Sequence, residues 1–200
     1  MTDGKSRFIL PKTTPIALFV VFLLPLAMAT FFYRYHDLLP FVGTTNKGDL
    51  IDPARPLTLF AAKTLDGRDL SLEDLKGKWT LILVGGKECN LYCEANLFKT
   101  RQARLAMGED ISRVQRLYLL PSGSTGEQLQ SLFNEHPRLI VASLEQKAQQ
   151  TVLNTLGTQP EGSIYIIDPL GNVMMHYSKD ATAKGMIEDL RHLLKASRIG

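Results

Sequence analysis

Cysteine is nearly missing from this 200-residue chain: Cys89 and Cys93 are the only two. That excludes a disulfide-dense scaffold and leaves too few thiols for a cysteine-rich zinc site. Tryptophan is confined to Trp79, and neither sign of charge gathers into a long block. No glycine-rich phosphate loop, Ser-His-Asp arrangement, zinc spacing, internal repeat or low-complexity tract is present. The formal net charge is only +3, and Lys5, Arg7 and Lys12 against Asp3 carry most of it. The remainder is close to neutral, so the basic footprint of a nucleic-acid binder is absent. A content of 44% hydrophobic and 22% charged residues excludes a disordered chain.

The hydrophobic residues are unevenly spread. In Ile16 to Tyr33 only Pro25 and Thr30 are not apolar. About 20 such residues cross a hydrocarbon core, and Phe31, Phe32, Tyr33 and Tyr35 suit its interface. Basic residues before the span place residues 1–13 in the cytoplasm and put the bulk of the chain across the membrane. The competing reading is a cleaved signal peptide ending at Ala27-Met28-Ala29. The expected organisation is therefore a cytoplasmic segment 1–13, a transmembrane anchor 14–35, a linker 36–56 and a domain over 57–200. The linker expectation rests on turn residues around Gly43–Asp49 and on Pro53 and Pro56.

Within the domain the pattern predicts strands at Leu57–Ala62, Asp69–Leu72, Trp79–Val84, Val114–Leu120, Leu139–Ala142, Ser163–Asp168 and Val173–Tyr177. Trp79–Val84 is continuously apolar, as a strand buried on both faces must be. Helices are expected after Ser71, from Cys89 to about Met107, and over Gly126–Glu135, Leu144–Leu156 and Thr182–Ser197. This order implies an α/β fold: a mixed sheet with flanking helices and an N-terminal hairpin, preceded by one transmembrane helix. Sites in such sheets lie at the carboxyl ends of the strands. The strand ending at Val84 delivers Gly85-Gly86-Lys87-Glu88-Cys89 to that edge.

Cysteines four apart on a helix share one face, with Cβ atoms about 5–6 Å apart. A disulfide needs about 3.8 Å, so modest local distortion closes one. A helix start favours the thiolate of Cys89. In an oxidising compartment such a pair is a structural disulfide, a redox couple or a metal pair. Bridging so short a loop removes little entropy from the unfolded chain, which argues against a purely structural staple.

The corner resembles the thioredoxin superfamily, in particular the Sco/SenC-type copper and thiol proteins of cytochrome oxidase assembly. Gly77-Lys78-Trp79 before the strand, the Cys89–Cys93 pair and Tyr165-Ile166-Ile167-Asp168-Pro169-Leu170-Gly171 carry the likeness. It is closer still to membrane-anchored proteins encoded among bacterial cytochrome c oxidase assembly genes. Thr45–Ile51, Arg101–Gly108 and Arg113–Arg116 carry that second likeness. The resemblance implies a thioredoxin-like domain on the periplasmic side of the inner membrane. It also implies a link to an oxidase subunit or its copper-delivery proteins. Two chemistries stay open. In one, Cys89 attacks a target disulfide and Cys93 resolves it, making the protein a thiol–disulfide oxidoreductase. In the other, both thiolates hold Cu(I). Sco proteins add a distal His to the two thiolates; its position falls on or near Pro160, and no His stands there. A general exported oxidoreductase and a non-catalytic assembly factor are the rival readings.

Other residues enter as weaker candidates. The thioredoxin resemblance implies a cis-proline facing the cysteines, for which Pro160 is the candidate. Met174 and His176 share one strand face and offer soft ligands. Lys99, Arg101, Arg104, Arg113 and Arg116 form a basic patch that suits an acidic partner or lipid headgroups. His136 and His192 are expected at the surface.

Overall fold

The computed structural model describes residues 14–35, 45–58, 60–86, 88–124, 129–157 and 162–199. Two compact units divide the chain, Met1–Thr45 and Asn46–Gly200. In the first, α1 (Thr14–Arg34) carries the apolar run, with mean hydropathy 2.4 over Ile16–Arg34 and its side chains exposed. Thr30 does not interrupt it, because its hydroxyl donates to the carbonyls of Leu26 and Ala27. By length and composition the helix is apolar enough to cross a membrane.

The second unit is built on β4 (Trp79–Val84), every residue of which is buried. Its alternating side chains feed two separate cores: Leu81 and Leu83 enter one, Ile82 and Val84 the other. Parallel neighbours β5 (Val114–Leu120) and β6 (Leu139–Leu144) lie to one side. Antiparallel β7 (Ile164–Ile167) and β8 (Asn172–Tyr177) lie to the other. The hairpin of β2 (Ala61–Thr64) and β3 (Asp69–Ser71) extends the sheet beyond β6. Helices α3 (Leu91–Leu105), α4 (Gln130–Asn134) and α6 (Ala183–Ala196) supply the first core, through residues such as Leu97, Phe133 and Leu190. Helices α2 (Leu72–Leu75) and α5 (Gln146–Leu156) supply the second through Leu75 and Val152. The thioredoxin-like mixed sheet with helices on both faces is thus as expected.

Two expectations need correcting. Leu57–Ala62 is not a strand; Leu57 and Phe60 are buried as apolar plugs in the second core, and β2 begins only at Ala61. The linker also ends early. Asp49–Pro56 forms an eighth strand, β1, antiparallel to β8 at the sheet edge. Turn chemistry hid it, because Pro53 falls where the pairing is interrupted between Leu50 and Arg55. Prolines are tolerated at an edge and at such an irregularity, since neither requires every N–H.

A buried carboxylate fixes the start of β1. Asp189 of α6 accepts the backbone N–H groups of Lys47 and Gly48 at 2.9–3.0 Å and the Tyr177 hydroxyl at 2.9 Å. Burial and the adjacent carboxylate push the Tyr177 phenol above its ordinary range, so it remains a donor. Gly48 has to be glycine here: a Cβ would lie 2.7 Å from the Tyr177 ring and 2.8 Å from Met175. Replacing Asp189 by Ala leaves three donors without their acceptor, those of Gly48 and Tyr177 in the interior. The expected cost is roughly 3 kcal/mol in denaturant unfolding of the full chain in detergent, against about 1 kcal/mol for Tyr177→Phe.

Candidate redox site at the end of the central strand

The chain leaves β4 through Gly85 and Gly86 and returns as α3. Gly85 donates its N–H to the Leu119 carbonyl at 2.9 Å, which keeps this exit in line with β5. Asn90 caps α3, its side-chain oxygen accepting the N–H groups of Tyr92 and Cys93 at 3.1 Å each. Cys89 therefore precedes the helix rather than opening it, and the two cysteines do not sit one helical turn apart. An Asn before a helical run is a strong capping residue, and that signal was present in the sequence. The Cys89–Cys93 disulfide joins the residue before the Asn90 cap to the first turn of α3, at a Cα separation of 5.2 Å.

The pair is asymmetric. Cys89 is half-buried, whereas Cys93 is 7% exposed within the first core. The Cys93 sulfur lies 3.3 Å from the Tyr118 hydroxyl, a buried contact that sequence reasoning missed. Its only sequence signal was one polar-tipped aromatic in the otherwise aliphatic end of β5. A second tie crosses the site. Buried Asn96 donates to the Gly162 carbonyl at 2.7 Å, and Lys99 donates to Asn96 and to the Lys179 carbonyl. Gly162 in turn donates to Val84 at 2.8 Å, binding the turn before β7 to the end of β4.

Between these elements a cleft of about 250 Å³ opens, bordered by Gly86, Asn90, Tyr92, Cys93, Gly162 and Lys179. That volume is below the usual range for small-molecule sites and suits a side chain or a short peptide segment. Its rim is apolar on the α3 side. Leu91 is 82% exposed, and Tyr92, whose ring lies under the Lys179 ammonium at 5.5 Å, is exposed as well.

The remaining candidates disperse. Pro160 lies outside the described residues; among those described, the cis peptide bond is Asp52–Pro53. His176 stacks on Tyr165, which packs in the second core, and its Nδ1 lies 3.8 Å from Asp49. It is thus on the face of the sheet away from Cys93. Among the described residues no group of three His, Cys, Asp or Glu side chains is placed to hold a metal ion.

Arg101, Arg104 and Arg116 of the basic patch do lie near one another, but each is tied to backbone. Arg101 donates to the Glu135 carbonyl, Arg104 to Val114, and Arg113 to carbonyls at the end of α6. Arg116 is 2% exposed and donates to the Pro137 carbonyl. These guanidiniums clamp backbone; Arg116 is buried and the other three are partly exposed. His136, expected at the surface, is buried beside Arg116, whereas His192 is exposed as anticipated.

A family model described as the C-terminal domain of transmembrane-like, thioredoxin-like proteins matches residues 79–197. The chain belongs to that family. No curated protein matches it. Among solved structures, this transmembrane-like, thioredoxin-like protein is similar to copper-bound ScoI of Bradyrhizobium japonicum. Identity there is 22%, with 66% of this chain and 96% of that one covered and a TM-score of 0.55. Apo Sco1 from Thermus thermophilus gives 19% identity, coverage of 76% and 99%, and a TM-score of 0.61. BsSco, described as carrying a disulfide switch and belonging to the Sco family of cytochrome c oxidase assembly proteins, gives 21% identity. Coverage is 72% and 96%, with a TM-score of 0.54. At these identities the likeness is one of fold.

His136 supplies a pH dependence. Burial, then Arg116 and Arg101, hold its pKa below the ordinary 6.5, with Glu135 opposing weakly. The folded state thus favours the neutral ring, while the unfolded chain takes up a proton near 6.5. The associated stability is intact above that value and is lost as pH falls from about 6.5 towards the depressed folded value. Urea midpoints measured down that range should fall for the wild type and fall less steeply for His136→Gln.

Proposed function

We propose that this protein is a membrane-anchored thiol–disulfide exchange protein acting in cytochrome c oxidase assembly, with Cys89 as attacking and Cys93 as resolving thiol. The observation that carries the reading is the asymmetry of the pair: Cys89 is half-buried ahead of the helix, whereas Cys93 is buried inside the core. In the reduced protein, the Cys89 thiolate attacks a disulfide in the target and releases one target thiolate. Cys93 then attacks the Cys89 sulfur, forming the Cys89–Cys93 bond and releasing the second. Two electrons pass to the target, and an exported dithiol donor restores the pair. The target class is an oxidase subunit, or one of its copper-delivery proteins, whose cysteines must be reduced before they take metal. The Sco-like fold supports this choice of pathway. In this reading α1 is a retained inner-membrane anchor, residues 1–13 are cytoplasmic, and the thioredoxin-like domain is periplasmic.

A second reading takes Cu(I) as cargo on the same two sulfurs. Their chemistry favours a soft ion, and the similarity to copper-bound ScoI points the same way. The fit is incomplete, because the described residues bring no His, Asp or Glu to the cysteines as a third ligand.

A working couple should have a reduction potential above about −300 mV, where structural disulfides fall below it. Cys93→Ser should trap a mixed disulfide with the target that dithiothreitol releases, and Cys89→Ser should trap none. A potential well below that limit, together with no trapped species, would overturn the exchange reading. Anaerobic Cu(I) titration of the reduced protein, compared with both serine variants, tests the cargo reading. Binding that is no tighter than to a weak competing chelator excludes it.

A further inference from the structure

We propose that Tyr118 is a positioning residue for the exchange reaction, its hydroxyl setting the redox balance of the pair by holding the Cys93 sulfur. The inference rests on the exchange reading and adds to it a residue outside the cysteine corner.

Both partners of the contact are held by rigid elements. Tyr118 pairs in register with Leu83 of β4, and its ring packs on Phe133 at 5.2 Å with the planes tilted 57°. Gly85 makes room for the hydroxyl: a Cβ there would collide with the Tyr118 ring tip and its oxygen. Cys93 is fixed from the other side, its N–H held by the Asn90 cap. The 3.3 Å approach of hydroxyl to sulfur is therefore preorganised on strand and helix rather than on a loop.

The chemistry of the contact differs between the two redox states. A disulfide sulfur is a weak hydrogen-bond acceptor. Opening the bond leaves Cys93 as a thiol, which can donate to the hydroxyl as well as accept from it, or as a thiolate, which is a much stronger acceptor. Both groups are buried, so water does not replace the hydroxyl and the difference is not screened away. The hydrogen bond consequently favours the open pair over the closed one. It also keeps the Cys93 sulfur at the site while Cys89 is joined to a target, ready for the resolving attack. No bond is made or broken by Tyr118 itself.

The test is the equilibrium of the full-length protein in detergent with dithiothreitol and glutathione redox buffers at one fixed pH. The wild type is compared with Tyr118→Phe and Leu190→Val, the latter in the same core on α6. Tyr118→Phe keeps the ring and removes only the hydroxyl. It should move the equilibrium about tenfold towards the disulfide, equivalent to about 30 mV more negative for this two-electron couple. Leu190→Val keeps the hydroxyl and loosens the packing, and should leave the equilibrium near the wild-type value. An unchanged potential in Tyr118→Phe overturns the inference while leaving the exchange reading intact. An equal shift in Leu190→Val overturns it too, because packing would then explain the effect. A wild-type pair that exchanges in neither buffer overturns both readings.

Discussion

Burial of β4 on both faces is the constraint on which the site depends. With a core on each side and paired strands along each edge, the end of this strand is held from four directions. Whatever is attached there inherits that rigidity. The two glycines turn the chain without adding bulk, and the Asn90 cap starts α3 only after Cys89 has been left outside it. One cysteine is thereby left half-buried at the margin of the first core and the other is carried into it by the backbone path. The asymmetry needs no charged group to maintain it.

The polar contacts around this point share a logic. Asn96 reaches the Gly162 carbonyl, Lys99 reaches Lys179, and Gly162 reaches Val84. Each joins α3 or β4 to one of the two turns flanking β7 and β8. Peptide groups buried at strand ends must find partners, and here they find them in the segments that border the cleft. The same requirement explains the arginines, which satisfy carbonyls at helix and strand ends.

Much of this was legible in the residues. Trp79–Val84 read correctly as a strand because burial on both faces leaves an uninterrupted run of apolar and β-branched residues, and Val114–Leu120 did so through its apolar end, Leu117–Leu120. The cysteine corner was visible in the strand, the glycines and the spacing. What was hidden depended on partners far away in sequence. β1 carries turn residues and prolines, and is a strand only because β8 lies beside it. Asp189 reads as an ordinary polar residue of an amphipathic helix until the two N–H groups it accepts, some 140 residues earlier, are in place. Arg116 and His136 read as surface residues because no local pattern reports that α3 and α4 will close over them. Tyr118 could be recognised as buried, but not as the neighbour of a sulfur.

The Asp189 contact also bears on how the chain is assembled in time. The first strand of the folded unit has one strand neighbour, β8, and its opening residues are fastened by α6. Both elements lie within the last thirty residues. Contacts that span nearly the whole chain form late and slowly. Lys47 and Gly48 must therefore wait, unfastened, until the final helix has been made. In the order of synthesis the beginning of this fold is completed last.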